Sequence, residues 1–209
     1  MTEAVLRADR HDRLASVPSP LEVVDDRSDG GSAATRAARA FLEALGVDCD
    51  TAGTHASPHR MAVAYAAMLT ARPFKATTFP NDEGYESLVV VTSIPVQSLC
   101  EHHFLPFTGV AHVGYLPGDR LLGLSKLARV VELFAHRPQV QERLTEQVAG
   151  WIDDQLAPRG VGVVVQAEHA CMTLRGVRAP GALTRTTALR GVLRDVASAR
   201  AEFLAQVPA

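Results

Sequence analysis

SLCEHH, residues 98–103, ends a run of apolar and β-branched residues, LVVVTSI at 88–94, that predicts a β-strand over residues 87–98. The strand leads directly into Cys100 and His103. A thiolate and an imidazole three residues apart fit one turn of the chain, so both side chains can face one point. We therefore expect a rigid strand to present two metal-ligating side chains at its end.

A second group of the same kind is EHAC, residues 168–171, which follows a short apolar strand predicted at 161–167. Its thiol, Cys171, would complete a Cys/His/Cys set with Cys100 and His103. Three such ligands leave one position of a tetrahedral zinc site free for water, as catalysis requires, whereas a structural zinc is normally held by four protein ligands. The alternative is that both cysteines are buried core thiols. The paired Cys-x-x-His and His-x-Cys spacings favour metal binding.

Each ligand group also contains a further histidine: His102 stands beside His103, and His169 stands two residues before Cys171. Imidazoles that titrate near neutral pH are suited to moving protons close to a metal-bound water. The pattern therefore predicts a hydrolytic site in which a metal activates water. The alternative is that one of these histidines is a fourth ligand and that the site is structural.

The composition is that of an ordinary globular protein: of 209 residues, 47% are hydrophobic and 21% are charged. No apolar run approaches the roughly 20 residues that a membrane span requires. The N-terminus shows no signal-peptide core, and three cysteines, an odd number, do not suggest a disulfide framework. We therefore expect a cytoplasmic protein that does not contact membranes. The net charge of −2 argues against nonspecific nucleic-acid binding.

The order of the remaining patterns predicts an α+β fold with a mostly antiparallel sheet, because strands and helices come in pairs rather than in βαβ alternation. Residues 1–32 are polar and irregular and are predicted to be a flexible N-terminal arm. The other predicted elements are, in chain order, a helix over 33–45, a helix from 57, strands over 87–98 and 107–115, a helix from 125, a longer helix that ends before 158, strands over 161–167 and 183–190, and a closing helix over 199–207.

Four polar residues outside the ligand groups suit a guanine nucleotide. The Glu142 carboxylate can accept hydrogen bonds from both the N1–H and the 2-amino group of guanine, although a glutamate in such a run is more often a solvated helix residue. Lys126 and Arg129 lie one turn apart at a predicted helix N-terminus, where the helix dipole also favours anions. Arg175 follows Cys171 closely. Each cation alone is more often a surface residue, but together they suit a triphosphate.

The sequence resembles GTP cyclohydrolase I from about residue 57 to residue 207. The resemblance implies a T-fold (tunnelling fold): an antiparallel sheet with two long helices on one face, preceded by N-terminal helices. It also implies a catalytic domain at 33–209, with a helical part at 33–72 and a T-fold core at 86–209, and a homodecamer of two rings with active sites between subunits. The stretches that carry it are SLCEHH at 98–103, GLSK at 123–126, RPQVQERLT at 137–145, HAC at 169–171 and RGV at 175–177.

The implied reaction converts GTP and water to 7,8-dihydroneopterin triphosphate and formate, the entry to folate or other pterins. The residues that match the family's functional positions are Cys100, His103 and Cys171 as zinc ligands, His102 and His169 as the proton-transfer pair, Glu142 for the guanine, Ser125, Lys126, Arg129 and Arg175 for the triphosphate, and Arg60 reaching it from a neighbouring subunit.

Three alternatives to this function stay open. One is a nitrile reductase of the queuosine type, which shares the fold but needs a nicotinamide and no Cys/His/Cys set, so the intact set argues against it. Another is the same zinc chemistry stopped after hydrolysis at C8, which would give a formamidopyrimidine or a cyclic phosphate. The third is a noncatalytic, zinc-stabilised assembly subunit.

Overall fold

A computed structural model describes residues 32–208, and these residues divide into two compact units, an N-terminal unit that ends at Thr70 and a C-terminal unit that begins at Ala71. The predicted arm at 1–32 lies outside the described residues except for Ser32. The predicted division into a helical part and a T-fold core stays a prediction. No described helix combines the length and the apolar character that crossing a membrane would demand.

The N-terminal unit contains the two predicted helices, α1 (Ala33–Ala44) and α2 (Ser57–Met68). Helix α1 begins where it does because the Ser32 hydroxyl accepts a hydrogen bond from the Thr35 backbone N–H, at 3.2 Å. Helix α2 has a proline in its first turn, where the missing N–H costs no hydrogen bond. Small side chains, those of Ala62 and Ala66, are buried where α2 packs against Ala34.

The strands of the C-terminal unit are, in chain order, β1 (Thr78–Pro80), β2 (Val89–Cys100), β3 (Pro106–Leu116), β4 (Arg120–Leu122), β5 (Pro138–Gln139), β6 (Gly160–His169) and β7 (Leu183–Gly191). Five of them form one sheet with the order β5-β2-β3-β6-β7. All neighbours in it are antiparallel except the two-residue β5, which runs parallel to the end of β2. A separate two-stranded sheet pairs β1 with β4.

Two long helices cover one face of this sheet, α3 (Leu124–Ala135) and α4 (Gln141–Leu156), as predicted. They meet the sheet through side chains spaced three and four residues apart, which form one apolar stripe on each helix. On β6 the alternate residues point to the same side, because side chains along a strand alternate between faces. The buried residues of this core include Val130, Val131 and Phe134 of α3, Leu144, Val148 and Ile152 of α4, and Val161, Val163 and Val165 of β6.

The opposite face of the sheet carries a smaller core under the closing helix. After α5 (Ala170–Thr173) and α6 (Val192–Asp195), helix α7 (Ala197–Ala205) brings Phe203 over the sheet. The helix begins and ends two residues earlier than the predicted 199–207. Its end is earlier because Val207 leaves the helix and is buried in the same cluster as Phe203.

The Phe203 ring lies over two glycines that are paired across β3 and β6, Gly114 and Gly162. A β-carbon at Gly162 would lie 2.6 to 2.8 Å from three ring carbons, closer than van der Waals contact allows. We therefore expect Gly162→Ala to destabilise the fold by about 1–3 kcal/mol, the usual cost of overpacking a core. Thermal unfolding measures this effect.

Gly150→Ala is the matched control. This glycine lies inside α4, and its added β-carbon would meet only the end of the Arg190 side chain, at 3.4 Å. Alanine is the better helix former, so this variant should match or exceed the wild type in stability. Equal melting temperatures for Gly162→Ala and the wild type would contradict the proposed packing.

Candidate active site

Cys100 is the last residue of β2, and a tight turn directly follows it. The Cys100 carbonyl accepts hydrogen bonds from the backbone N–H groups of His103, at 3.3 Å, and Phe104, at 2.8 Å. The Cys100 N–H donates to the carbonyl of Leu105, which closes the turn before β3 begins. This turn places the His103 imidazole beside the thiol at the end of the strand.

The second ligand group lies at the same edge of the sheet, because β3 is hydrogen-bonded to both β2 and β6. His169 ends β6 and is paired with Phe107, near the start of β3. The chain then turns into the short helix α5, whose second residue is Cys171. The ends of two strands therefore bring together residues that are far apart in sequence.

Cys100, His103 and Cys171 form the candidate metal-ligand group, and their ligand atoms all lie within 4.8 Å of one another. The Cys100 sulfur is 3.7 Å from His103 Nδ1. Zinc bonds of 2.0–2.3 Å in a tetrahedron put neighbouring ligand atoms about 3.3–3.8 Å apart, so the separation of Cys100 and His103 fits a zinc ion. Burial, and after it the adjacent Cys100 thiol, raises the pKa of Cys171. A divalent cation would favour the deprotonated thiolate at this position.

The two candidate proton-transfer histidines differ in environment. His102 is exposed, and its Nδ1 lies 3.9 Å from the Cys100 sulfur. His169 is half-buried, with its ring stacked on that of Phe107 at a centroid distance of 4.5 Å and an interplanar angle of 11°. Its Nε2 lies 2.8 Å from Gln141 Oε1. Burial lowers the pKa of His169, and the nearby negative charge of Glu142 partly opposes this effect.

A bidentate ion pair joins the turn after β2 to the first turn of α4. Arg143 donates to both carboxylate oxygens of Glu101, at 2.6 and 2.8 Å. The hydrogen bonds from Arg143 lower the pKa of Glu101. The neighbouring Glu142 is exposed, and it lies close enough to His169 for its negative charge to raise the pKa of that histidine, against the larger lowering by burial. The structure therefore brings the candidate guanine-binding residue to the same site as the metal-ligand group.

The candidate triphosphate-binding residues lie in separate parts of the structure. Ser125 and Lys126 lie in the first turn of α3, which no side chain caps. The metal-ligand group lies near the other end of this helix, since Ser98 Oγ donates to the Ala135 carbonyl at 2.6 Å. The nine residues from Lys126 to Ala135 span roughly 14 Å of helix. One chain therefore holds these α3 residues at a distance from its own metal-ligand group.

Arg175 and Arg60 complete the set of candidate phosphate ligands. Burial is the largest cause of the raised pKa of Cys171. Arg175 is exposed, and it lies close enough to this thiol for its positive charge to lower the pKa and so partly oppose the effect of burial. Arg60 lies in the first turns of α2, in the N-terminal unit, and is exposed there.

The comparisons with known proteins identify the family. The family model for GTP cyclohydrolase I matches residues 34–208 of this chain. The chain belongs to the GTP cyclohydrolase I family. Together with the antiparallel sheet and its two long helices, this membership confirms the predicted T-fold.

Several relatives named GTP cyclohydrolase 1 match most of the chain. The protein from Mycobacterium tuberculosis (strain ATCC 25618 / H37Rv) is 51% identical over 176 residues, covering 82% of this chain and 87% of its own. That from Aquifex aeolicus is 48% identical over 169 residues, covering 81% and 92%. That from Mycobacterium ulcerans is 47% identical over 196 residues, covering 91% and 97%. Among solved structures, the apo archaeosine synthase QueF-Like covers 51% of this chain and 96% of its own, with 19% identity and a TM-score of 0.43.

In this GTP cyclohydrolase I family member, Gln141 had no role predicted from the sequence, although the amide of Gln141 contacts His169. The sequence feature that could have identified Gln141 is its position. It begins the buried stripe of α4, which continues with Leu144, Thr145 and Val148. A glutamine at a core position must find hydrogen-bond partners, so it is a candidate for ordering a site.

Glu132 also had no predicted role, and it binds Arg129 of the same helix, α3, together with Arg72. Arg72 donates to both of its carboxylate oxygens, at 2.6 and 2.7 Å, and Arg129 donates to one of them, at 3.2 Å. Hydrogen bonding from Arg72 lowers the pKa of Glu132 from 4.5 to about 2. The candidate phosphate ligand Arg129 is therefore held in place by a carboxylate one turn further along the helix.

We expect Glu132→Gln to destabilise the protein by about 1–2 kcal/mol at pH 7. The lowered pKa of Glu132 corresponds to roughly 3 kcal/mol, and solvent around the exposed Arg72 screens part of it. Because the folded state has the lower pKa, this stabilisation is present above pH 4.5 and is lost as the pH falls towards 2. Melting temperatures measured between pH 7 and pH 3 should therefore converge for the variant and the wild type.

Asp195→Asn is the control, since Asp195 is more than half exposed and pairs with its neighbour Arg194. This variant should melt close to the wild type at every pH, because exposed ion pairs contribute little. A difference in melting temperature between Glu132→Gln and the wild type that stays constant with pH would show that the charge of Glu132 does not stabilise the fold.

Proposed function

We propose that this chain converts GTP and water to 7,8-dihydroneopterin triphosphate and formate, with Zn²⁺ as its metal cofactor. The observation that carries the proposal is the clustering of Cys100, His103 and Cys171 ligand atoms within 4.8 Å, in a chain of the GTP cyclohydrolase I family. Cys100, His103 and Cys171 would hold the zinc, which would lower the pKa of a water molecule and so supply the nucleophile for attack at C8 of the guanine.

The other residues bind the substrate and move protons. Glu142 accepts the N1–H and 2-amino hydrogens of the guanine and so selects it over adenine. His102 and His169 exchange protons as the imidazole ring of the guanine opens, formate leaves, and the opened ribose closes onto the freed amine. Half-buried and stacked on Phe107, His169 is suited to act with little exposure to solvent.

The proposal includes a homo-oligomer, a decamer with active sites between subunits, in the cytoplasm. Two observations support intersubunit sites. Lys126 lies in the first turn of α3, at the far end of that helix from the metal-ligand group of the same chain, and Arg129 lies one turn further along. Within residues 71–208, β7 is also the last strand of its sheet, so its outer edge is available to a strand of another subunit. In such an assembly Ser125, Lys126, Arg129, Arg175 and Arg60 would surround one triphosphate.

The direct test is product analysis. Purified, zinc-loaded protein is incubated with GTP while formate and pterin absorbance are followed together, with ATP as the control substrate. We expect both products from GTP and neither from ATP. Formate without a pterin would contradict the full reaction and favour chemistry that stops after hydrolysis at C8. Neither product, with one zinc bound per chain, would contradict catalysis and favour an assembly subunit.

Metal removal distinguishes a catalytic zinc from a structural one. We expect a chelator to abolish GTP conversion and leave the circular dichroism spectrum close to that of the zinc-loaded protein, because the sheet and its two helices bury a core of their own. Readdition of zinc should restore activity. Loss of the folded spectrum on chelation would instead indicate a structural zinc.

A further inference from the structure

Gln141 is a buried amide with every polar atom engaged. Gln141 is the first residue of α4 and is only 1% exposed. Its Nε2 lies 3.0 Å from the backbone carbonyl oxygens of Val165 and of Thr184, and 3.2 Å from Thr186 Oγ1. Its Oε1 lies 2.8 Å from His169 Nε2.

These partners fix which way the amide points. Backbone carbonyl oxygens only accept hydrogen bonds, so the end of the amide that faces Val165 and Thr184 must be the NH₂ group. The opposite orientation would place Gln141 Oε1 against two carbonyl oxygens in a buried position, which is strongly unfavourable. Gln141 therefore presents an oxygen, which carries no proton, to the histidine ring.

We propose that Gln141 is a positioning residue that holds neutral His169 as the tautomer with its proton on Nε2, which leaves Nδ1 as the nitrogen that exchanges protons with the substrate. Since the Gln141 oxygen only accepts, the hydrogen bond between them requires Nε2–H as the donor. The Phe107 ring, stacked parallel to the imidazole, fixes the plane in which Nδ1 points.

The proton balance follows directly, and it rests on the proposed function. As water adds to the guanine, neutral His169 takes a proton from that water at its Nδ1 lone pair and becomes an imidazolium. It later returns a proton from the same Nδ1 to a nitrogen or oxygen of the substrate, and the N–H bond at Nε2 stays intact throughout. Without Gln141, the ring could adopt either tautomer, and only one of them has its lone pair on Nδ1.

A double-mutant cycle tests whether Gln141 acts through His169. Gln141→Met keeps a similar side-chain volume and removes the amide. In the zinc-loaded full chain we expect it to lower kcat about 10–100-fold, the usual effect of losing a group that orients a site residue. KM for GTP and bound zinc should stay close to the wild type. In a His169→Ala background the same change should cost nothing further.

Gln139→Met is the matched control, since Gln139 is fully buried and donates from its amide to the backbone carbonyl oxygen of Phe134 and to the side-chain Oε1 of Gln147. Its cost in kcat should be the same in the wild-type and His169→Ala backgrounds. If Gln141→Met lowers kcat as much in the His169→Ala background as in the wild type, the proposal is overturned, because Gln141 then acts independently of that histidine.

A second measurement does not depend on turnover. ¹⁵N-histidine NMR of the zinc-loaded protein, with the His169 signals identified by their loss in His169→Ala, reports which ring nitrogen carries the proton. We expect protonated Nε2 in the wild type and a mixture of tautomers in Gln141→Met. Protonated Nδ1 in the wild type would overturn the proposal. Wild-type protein that shows the expected tautomer and does not convert GTP would instead contradict the proposed function alone.

Discussion

Cys100→Ala is expected to lower formate release from GTP more than about 1000-fold. The side chain supplies one of three clustered ligand atoms, and its loss leaves only His103 and Cys171 to hold the metal. Each factor of ten in rate corresponds to about 1.4 kcal/mol of barrier, and a catalytic metal contributes several kcal/mol. Bound zinc, measured by elemental analysis, should fall together with the rate.

Cys49→Ala is the matched control for this prediction. Cys49 is also a free, buried cysteine, only 1% exposed, but it lies in the N-terminal unit and outside the metal-ligand group. Its removal should leave zinc content and formate release unchanged within about twofold. Cys100→Ala protein that keeps both its zinc and its activity would show that the cluster is a pair of core thiols beside an incidental histidine.

Glu142→Gln is expected to lower kcat/KM for GTP about 100-fold or more. A carboxylate accepts two hydrogen bonds from guanine, whereas a glutamine amide offers one acceptor and turns a donor towards the second guanine hydrogen. A site that leaves such a polar group unpaired discriminates strongly against the mismatched partner. Inosine triphosphate lacks the 2-amino group, so the variant should also lose most of the preference for GTP over this analogue.

Glu146→Gln, one turn further along α4, is the control for Glu142→Gln. Glu146 is largely exposed and pairs with Arg190 at 3.0 Å. Kinetic constants for both substrates should stay near those of the wild type. If Glu142→Gln behaves like Glu146→Gln, the guanine is held by other residues.

Periodicity predicted the main elements of the sheet well, because the long strands and helices carry patterns over nine residues or more. Strand β2 was predicted over 87–98 and forms at Val89–Cys100, so the candidate metal ligand Cys100 is part of the strand rather than just beyond it. The small strands β1, β4 and β5 were not predicted. Two or three residues carry no readable period, and their pairing is decided by distant parts of the chain.

The candidate site was likewise predicted only in part from the sequence. Cys100, His103 and His102 are close in sequence, so spacing alone predicts their proximity. Gln141 was not predicted because its role depends on the register of α4 against β6 and β7, which sequence spacing does not contain. The distance of Lys126 from the metal-ligand group follows from the length and direction of α3, which becomes clear only when the helix is placed on the sheet.

GTP labelled with ¹⁴C at C8 provides the most direct test of the central claim. The account predicts that zinc-loaded protein releases the label as formate, with one unlabelled 7,8-dihydroneopterin triphosphate formed for each formate. Label that stays on the purine, or that is retained in a formamide product, would contradict it.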